Sequence, residues 1–126
     1  MKNKILIIVC ILVLIIFIVR SPEDSWIKDK RGIWIKHGSP SAIPDYVSEQ
    51  KTGIECALQL YQNARSEEMD FSSQCLGTCG DYAVDVVHVP RSGEDNLPEN
   101  QCKDYKEERV NYFIELDKDG NVVRVV

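Results

Sequence analysis

The chain predicts an α+β fold behind an apolar N-terminal helix, and three observations carry that prediction. Residues 5–19 are fifteen consecutive apolar residues between Lys4 and Arg20. Ile54, Ala57, Leu58, Tyr61 and Ala64 recur at helical spacing. Beyond them, residues 82–89 and 110–126 are rich in β-branched and aromatic residues and read as strands. One helix followed by three or four antiparallel strands makes a two-layer domain, with the helix covering one sheet face.

The N-terminal segment has the basic start and apolar middle of an export signal, but no small-residue cleavage site follows it. Pro22 stands directly after the poor frame that ends at Ser21. Fifteen helical residues rise about 22 Å against a hydrocarbon core of roughly 30 Å. Lys2, Lys4 and Arg20 can snorkel to make up the difference. The run has no polar face, so it does not read as an amphipathic surface helix. The expectation is a signal anchor over residues 1–20. It predicts a single-pass protein of the cell membrane with the C-terminal domain outside the cytoplasm. Cys10 is then a small hydrophobe within the span.

Residues 21–43 are expected to be a linker or short hairpin. Trp26-Ile27-Lys28 and Ile33-Trp34-Ile35-Lys36 flank Asp29-Lys30-Arg31-Gly32, where glycine suits a positive-φ turn position. The stretch Trp34-Ile35-Lys36-His37-Gly38-Ser39-Pro40 resembles a W-x-K-H-G-x-P segment of small, uncharacterised, membrane-anchored prokaryotic surface proteins. With the second tryptophan upstream, the resemblance covers about fifteen residues. Those proteins often have a cysteine beside the first tryptophan, where Ile27 and Lys28 stand here. The resemblance implies a surface location and no activity. Trp26, Trp34 and His37 are therefore candidate binding-surface residues for a protein, an envelope glycan or the bilayer interface. The alternative is a small aromatic core that pins this segment to the domain.

Residues 44–126 form the expected disulfide-stapled domain. Thr52-x-x-Glu55 has the pattern of a capping box ahead of the helical stripe, although Pro44 also suits a first helical turn. A strand over 82–89, a polar loop over 90–101, a strand over 110–116, a turn at Asp117-Lys118-Asp119-Gly120 and a returning strand complete it. Ile54, Leu58, Tyr61, Val84, Val86, Phe113, Ile114 and Leu116 are the expected core. Cystatin-like rolls share this element order, which is an analogy of architecture and carries no function.

Four cysteines lie beyond the apolar run: Cys56, Cys75, Cys79 and Cys102. Outside the cytoplasm an even number reads as two disulfides. Three pairings are open, and the one expected here is Cys56 with Cys75 and Cys79 with Cys102. A five-residue ring joining Cys75 to Cys79 is the main rival. Removing Lys2, Lys4 and Arg20 from the fifteen basic residues leaves twelve against twenty acidic ones, a formal charge of −8 for the rest of the chain. So acidic a domain argues against nucleic acid as a partner.

Candidate chemistry is sparse. Gln74-Cys75-Leu76-Gly77-Thr78-Cys79-Gly80 superficially resembles the nucleophile region of papain-like peptidases. The chain lacks their length and their downstream His and Asn, and His88 is the one later histidine. The Cys-x3-Cys spacing is not that of a redox Cys-x2-Cys pair, and structural zinc usually needs two close ligand pairs. Asp117-x-Asp119-Gly120-Asn121 reads as a hairpin turn before it reads as a calcium loop. No cofactor is expected. Two functions remain open. The leading one is a membrane-anchored, non-catalytic extracytoplasmic module that binds a protein or envelope partner. The alternative is a small thiol-dependent enzyme or redox protein using Cys75 or Cys79 with His88.

Overall fold

Strand pairing organises the computed structural model, which describes residues 1–19 and 25–126. Four strands form the main sheet in sequence order: β3 (Gln74–Cys79), β4 (Tyr82–Val86), β5 (Tyr112–Leu116) and β6 (Val122–Val125). β3 pairs β4 and β5 pairs β6 antiparallel, but β4 pairs β5 parallel. The all-antiparallel expectation is therefore corrected. The polar stretch after β4 does not turn straight back. Residues 87–111 cross over through short 3-10 turns (Gly93–Asn96 and Pro98–Asn100) and a single helical turn, α3 (Lys103–Lys106). A crossover of this kind is what a parallel pair requires.

Both faces of the sheet are covered, as parallel pairing usually demands. Helix α2 (Asp45–Ser66) lies on one face. Its Ala57 and Tyr61 pack with Cys79, Val84, Ile114, Leu116 and Val125. On the other face Ala83 packs with Cys102, Val110 and Phe113. Phe113 and Ile114 point to opposite faces, and each finds a core. Tyr105 meets the Phe113 ring edge-on at 5.1 Å.

Helix α2 starts at Asp45 after Pro44 and runs unbroken through Gly53, so the Thr52–Glu55 pattern caps nothing. Gly53 is buried because β4 approaches closely there: a Cβ on it would lie 2.8 Å from the Tyr82 ring. This contact rotates the helix relative to the expected stripe. Its buried face is Val47, Gln50, Gly53, Ala57, Tyr61 and Ala64, and Leu58 is 37% exposed. Leu58 therefore leaves the expected core.

A second, two-stranded sheet pairs β1 (Ser25–Lys28) with β2 (Trp34–His37) in the expected hairpin. Gly32 closes its turn at φ +86°, a region other residues avoid. Hydrogen bonds dock the hairpin on β6 and on α2. The Val125 N–H donates to the Arg31 carbonyl at 2.6 Å. The buried Gln50 side chain accepts the Trp34 N–H at 2.8 Å and donates to the Gly32 carbonyl at 2.9 Å. At the far hairpin the Tyr61 hydroxyl donates to the Lys118 carbonyl at 2.8 Å. Asp117 accepts from the Asp119 N–H and from the N–H and side-chain amide of Asn121. These are the bonds of an Asx-type hairpin turn.

The N-terminal helix α1 spans Lys2–Val19. Among the described residues, no helix is long and apolar enough to cross a membrane. The expected transmembrane helix is corrected accordingly: α1 opens on Lys2-Asn3-Lys4, and its apolar part rises about 22 Å where roughly 30 Å is needed. Arg20 and residues 21–24, which closed the expected anchor and opened the expected linker, lie outside the described residues.

The packing predicts a contrast between two leucines. Leu116 is fully buried and Leu58 is not. Leu116→Ala should cost about 2–5 kcal/mol in urea unfolding, and Leu58→Ala less than about 1 kcal/mol. Similar losses at both sites would place the helix face wrongly.

Candidate functional site

The disulfide layer follows from one irregularity in β3. Cys75 pairs with Asp85 and Gly77 with Val84, so Leu76 has no partner of its own. Such a bulge reverses which side chains face which side. Gly77 sits at φ +139°, which an L side chain rarely adopts. In a regular strand Cys75 and Cys79 would share a face. Here Cys79 faces α2 and Cys75 faces the crossover. The pairs are Cys56–Cys79, with a Cα separation of 5.8 Å, and Cys75–Cys102, at 4.8 Å. Both lie within the range a disulfide bridges. All four cysteines are oxidised as expected, but the expected pairing and the Cys75–Cys79 ring are both corrected. One bond ties the helix to the sheet, and the other ties the crossover to the sheet.

On the crossover face a pocket of about 90 Å³ is lined by Asp85, Arg91, Asp95, Gln101, Tyr105, Phe113 and Glu115, and Asp85 connects it to the Cys75–Cys102 bond. Asp85 and Glu115 are register partners on β4 and β5. The Arg91 side chain donates to Glu115 at 2.7 Å. Asp85 Oδ1 lies 2.9 Å from the Cys102 sulfur. Burial pushes the Asp85 carboxyl up to about 6, Glu115 adds repulsion, and the Cys102 backbone N–H and Arg91 pull the other way. The Cys75, Asp85 and Cys102 ligand atoms lie within 4.8 Å of one another. Bonded to each other, the two sulfurs offer no thiolate to a metal.

His88 is committed elsewhere. Its Nδ1 lies 2.9 Å from Asp95 Oδ1 and 3.0 Å from Ser92 Oγ. Asp95 also accepts the Ser92 and His88 backbone N–H groups, and its side chain is fully buried. Burial alone would raise that carboxyl, but the Ser92, His88 and Ser73 hydrogen bonds hold it down at about 2. Cys75, Cys79 and His88 are thus not brought together as a thiol site: the two sulfurs belong to different bonds on different faces, and His88 bonds Asp95.

Trp26 and Trp34 are half-buried and occupied. The Trp26 indole N–H donates to the Ala42 carbonyl at 3.0 Å. Trp34 packs on Tyr46 at 4.8 Å, with the Lys28 ammonium 5.0 Å above the ring. His37 is exposed at the end of β2. Trp34 packs the hairpin on α2, Trp26 ties it to the segment that enters α2, and a groove of about 820 Å³ lies between hairpin and helix. Ile43, Ile54 and the two tryptophans line that groove, with Lys36, Lys51 and Glu55 at its polar positions. A second cleft, of about 680 Å³, has Tyr82 and Tyr112 in its wall with Glu49 and Asp81 beside them.

Sequence reasoning passed over Asp85, Arg91, Asp95 and Glu115. The available signal was a carboxylate inside each of two apolar runs, Val84-Asp85-Val86 and Ile114-Glu115-Leu116. No family model, characterised protein or solved structure matches the chain.

Half-buried Asp85 and buried Asp95 should give stability opposite pH dependences. Asp85 binds its proton more tightly folded than unfolded, so its contribution is full below about 4 and is lost as pH rises through about 6. Relative to wild type, Asp85→Asn should gain on the order of 2 kcal/mol between pH 4 and pH 7.5. Asp95 is the reverse: its contribution stands above about 4 and is lost as pH falls through about 2. Asp95→Asn should therefore destabilise at pH 7 and less so near pH 2. Urea midpoints across pH read both effects, and parallel profiles for the two variants would contradict them.

Proposed function

We propose that residues 25–126 form a non-catalytic binding module that acts outside the cytoplasm and recognises a protein or envelope component. The groove between the hairpin and α2 carries this reading. It combines an aromatic and aliphatic lining with charged groups at its edge, the composition of a recognition surface. Ile43 projects from it at 60% exposure, a large apolar residue with little reason to face water alone.

The compartment rests on the cysteines. Two disulfides in so small a domain fit an oxidising environment, where they supplement a limited core. The likeness of residues 34–40 to a segment of prokaryotic surface proteins points the same way. The basic and apolar start of the chain has the composition of an export signal.

Two measurements test the reading. Under denaturing, non-reducing conditions the full chain should titrate one thiol, Cys10, and Cys10→Ser should titrate none. A further thiol from Cys75 or Cys79 would favour a thiol-dependent function. Ile43→Glu and Lys36→Glu change exposed groove positions and should leave the free energy of unfolding within about 0.5 kcal/mol of wild type. In pull-downs from the native envelope both should lose the component that wild type retains. Equal retention by wild type and variants would remove the groove from the account.

A further inference from the structure

The two disulfides differ in what surrounds them. Cys75 is exposed, while its partner Cys102 is 1% exposed. A thiolate arriving from solvent therefore meets the Cys75 sulfur, and the Cys102 sulfur is the leaving group. That leaving sulfur lies 2.9 Å from Asp85 Oδ1 and 3.3 Å from the Val84 carbonyl oxygen. A bonded disulfide sulfur has no proton to donate, so an ionised carboxylate at that distance would set one electron-rich atom against another. A protonated Asp85 instead donates its O–H to the sulfur. Cys56 and Cys79 line a cleft that also carries Glu49 and Asp81, but among the described residues neither carboxylate is hydrogen-bonded to those sulfurs as Asp85 is to Cys102.

We propose that Cys75–Cys102 is an exchangeable disulfide that takes a small thiolate or dithiol at Cys75, with Asp85 as the proton donor to Cys102. In the first step the incoming thiolate sulfur bonds to the Cys75 sulfur as the Cys75–Cys102 bond breaks. The electron pair leaves on the Cys102 sulfur, which takes the Asp85 proton and becomes a thiol. With a dithiol, the second thiol loses its proton and attacks its own partner sulfur in the mixed disulfide, releasing Cys75 as thiolate. The dithiol is oxidised to a cyclic disulfide, and the protein bond is reduced by the same two electrons. In reverse, Asp85 carboxylate removes the Cys102 proton and generates the thiolate that closes the bond. A leaving thiolate buried without a proton donor would be costly. The raised Asp85 carboxyl keeps the proton available into the mildly acidic range. Opening the bond frees the crossover from β3, so a thiol supply outside the cytoplasm would loosen one face of the sheet and leave α2 tied to the other.

The charged and titratable groups facing Asp85 are Glu115 on β5, Arg91 and Asp95 on the crossover, and Tyr105 on α3. Arg91 is bonded to Glu115, and Asp95 is ionised throughout the range tested here.

Timed reduction by dithiothreitol tests the proposal on the full chain, with alkylation quenching and mass analysis of each cysteine. Rates are normalised to the dithiothreitol thiolate present at each pH. Opening of Cys75–Cys102 should be roughly tenfold faster at pH 5 than at pH 8, while Cys56–Cys79 should show no such gain. Asp85→Asn should remove the gain. The proposal is overturned if the two bonds share one pH profile in wild type, if Cys56–Cys79 opens first, or if the Asn variant keeps the wild-type profile. The two wild-type arms decide the matter even if the variant does not fold.

Discussion

The bulge between Cys75 and Gly77 inserts Leu76 into β3 without a partner on β4, and side-chain alternation reverses across it. Everything on the two sheet faces depends on that reversal. It turns Cys79 toward the helix and Cys75 toward the crossover, so each layer receives its own covalent tie. Without the extra residue both sulfurs would face one layer, and the other layer would rest on packing alone. The crossover has little packing to offer: Cys102 and Val110 are its buried contributions to the cluster with Ala83 of β4, and Phe113 of β5 packs partly buried against them. A bond closing a loop of this length is worth about 3–4 kcal/mol in the chain-entropy account, a large share of a small domain's stability.

The parallel β4–β5 pair has a second consequence. Covering both faces encloses Asp85 and Glu115, which sit in the middle of apolar strands and would be solvated if one face were open. Enclosure forces each carboxyl to find a partner. Glu115 takes Arg91, Asp95 takes His88 and two backbone N–H groups, and Asp85 takes the neighbourhood of a sulfur. No buried side-chain oxygen or nitrogen among the described residues lacks a hydrogen-bond partner. The resulting polar layer is where chemistry departs from plain scaffolding, while the hairpin–helix groove is the surface proposed for recognition.

Periodicity made the helix, the terminal hairpin and the first hairpin legible, because each is a local pattern with its own turn chemistry. Gly32 and Asp117-Lys118-Asp119-Gly120 sit where the turns form. The even cysteine count likewise implied two bonds. Three things were not legible. Leu58 and Ala57 fit helical stripes equally well, and only the close approach of Tyr82 to Gly53 chooses between them. Strand direction after residue 89 depended on whether a polar segment turns back or crosses over, which composition does not encode. Leu76 looks like any strand residue, so the face reversal that sets the disulfide pairing left no local mark beyond Gly77. The charged positions inside the Val84–Val86 and Ile114–Leu116 runs were visible, but their meaning required knowing that both faces are covered. The length of the apolar N-terminal run was also plain, and that length falls short of a membrane span.

Peptide mapping of the non-reduced full chain by mass spectrometry tests the central claim most directly, since it reports which cysteines are joined. The bulge requires Cys56 linked to Cys79 and Cys75 linked to Cys102, with no peptide joining Cys75 to Cys79. Recovery of Cys56–Cys75 with Cys79–Cys102, or of the Cys75–Cys79 ring, would mean that β3 does not reverse at Leu76. The assignment of one covalent tie to each face of the sheet would then be wrong.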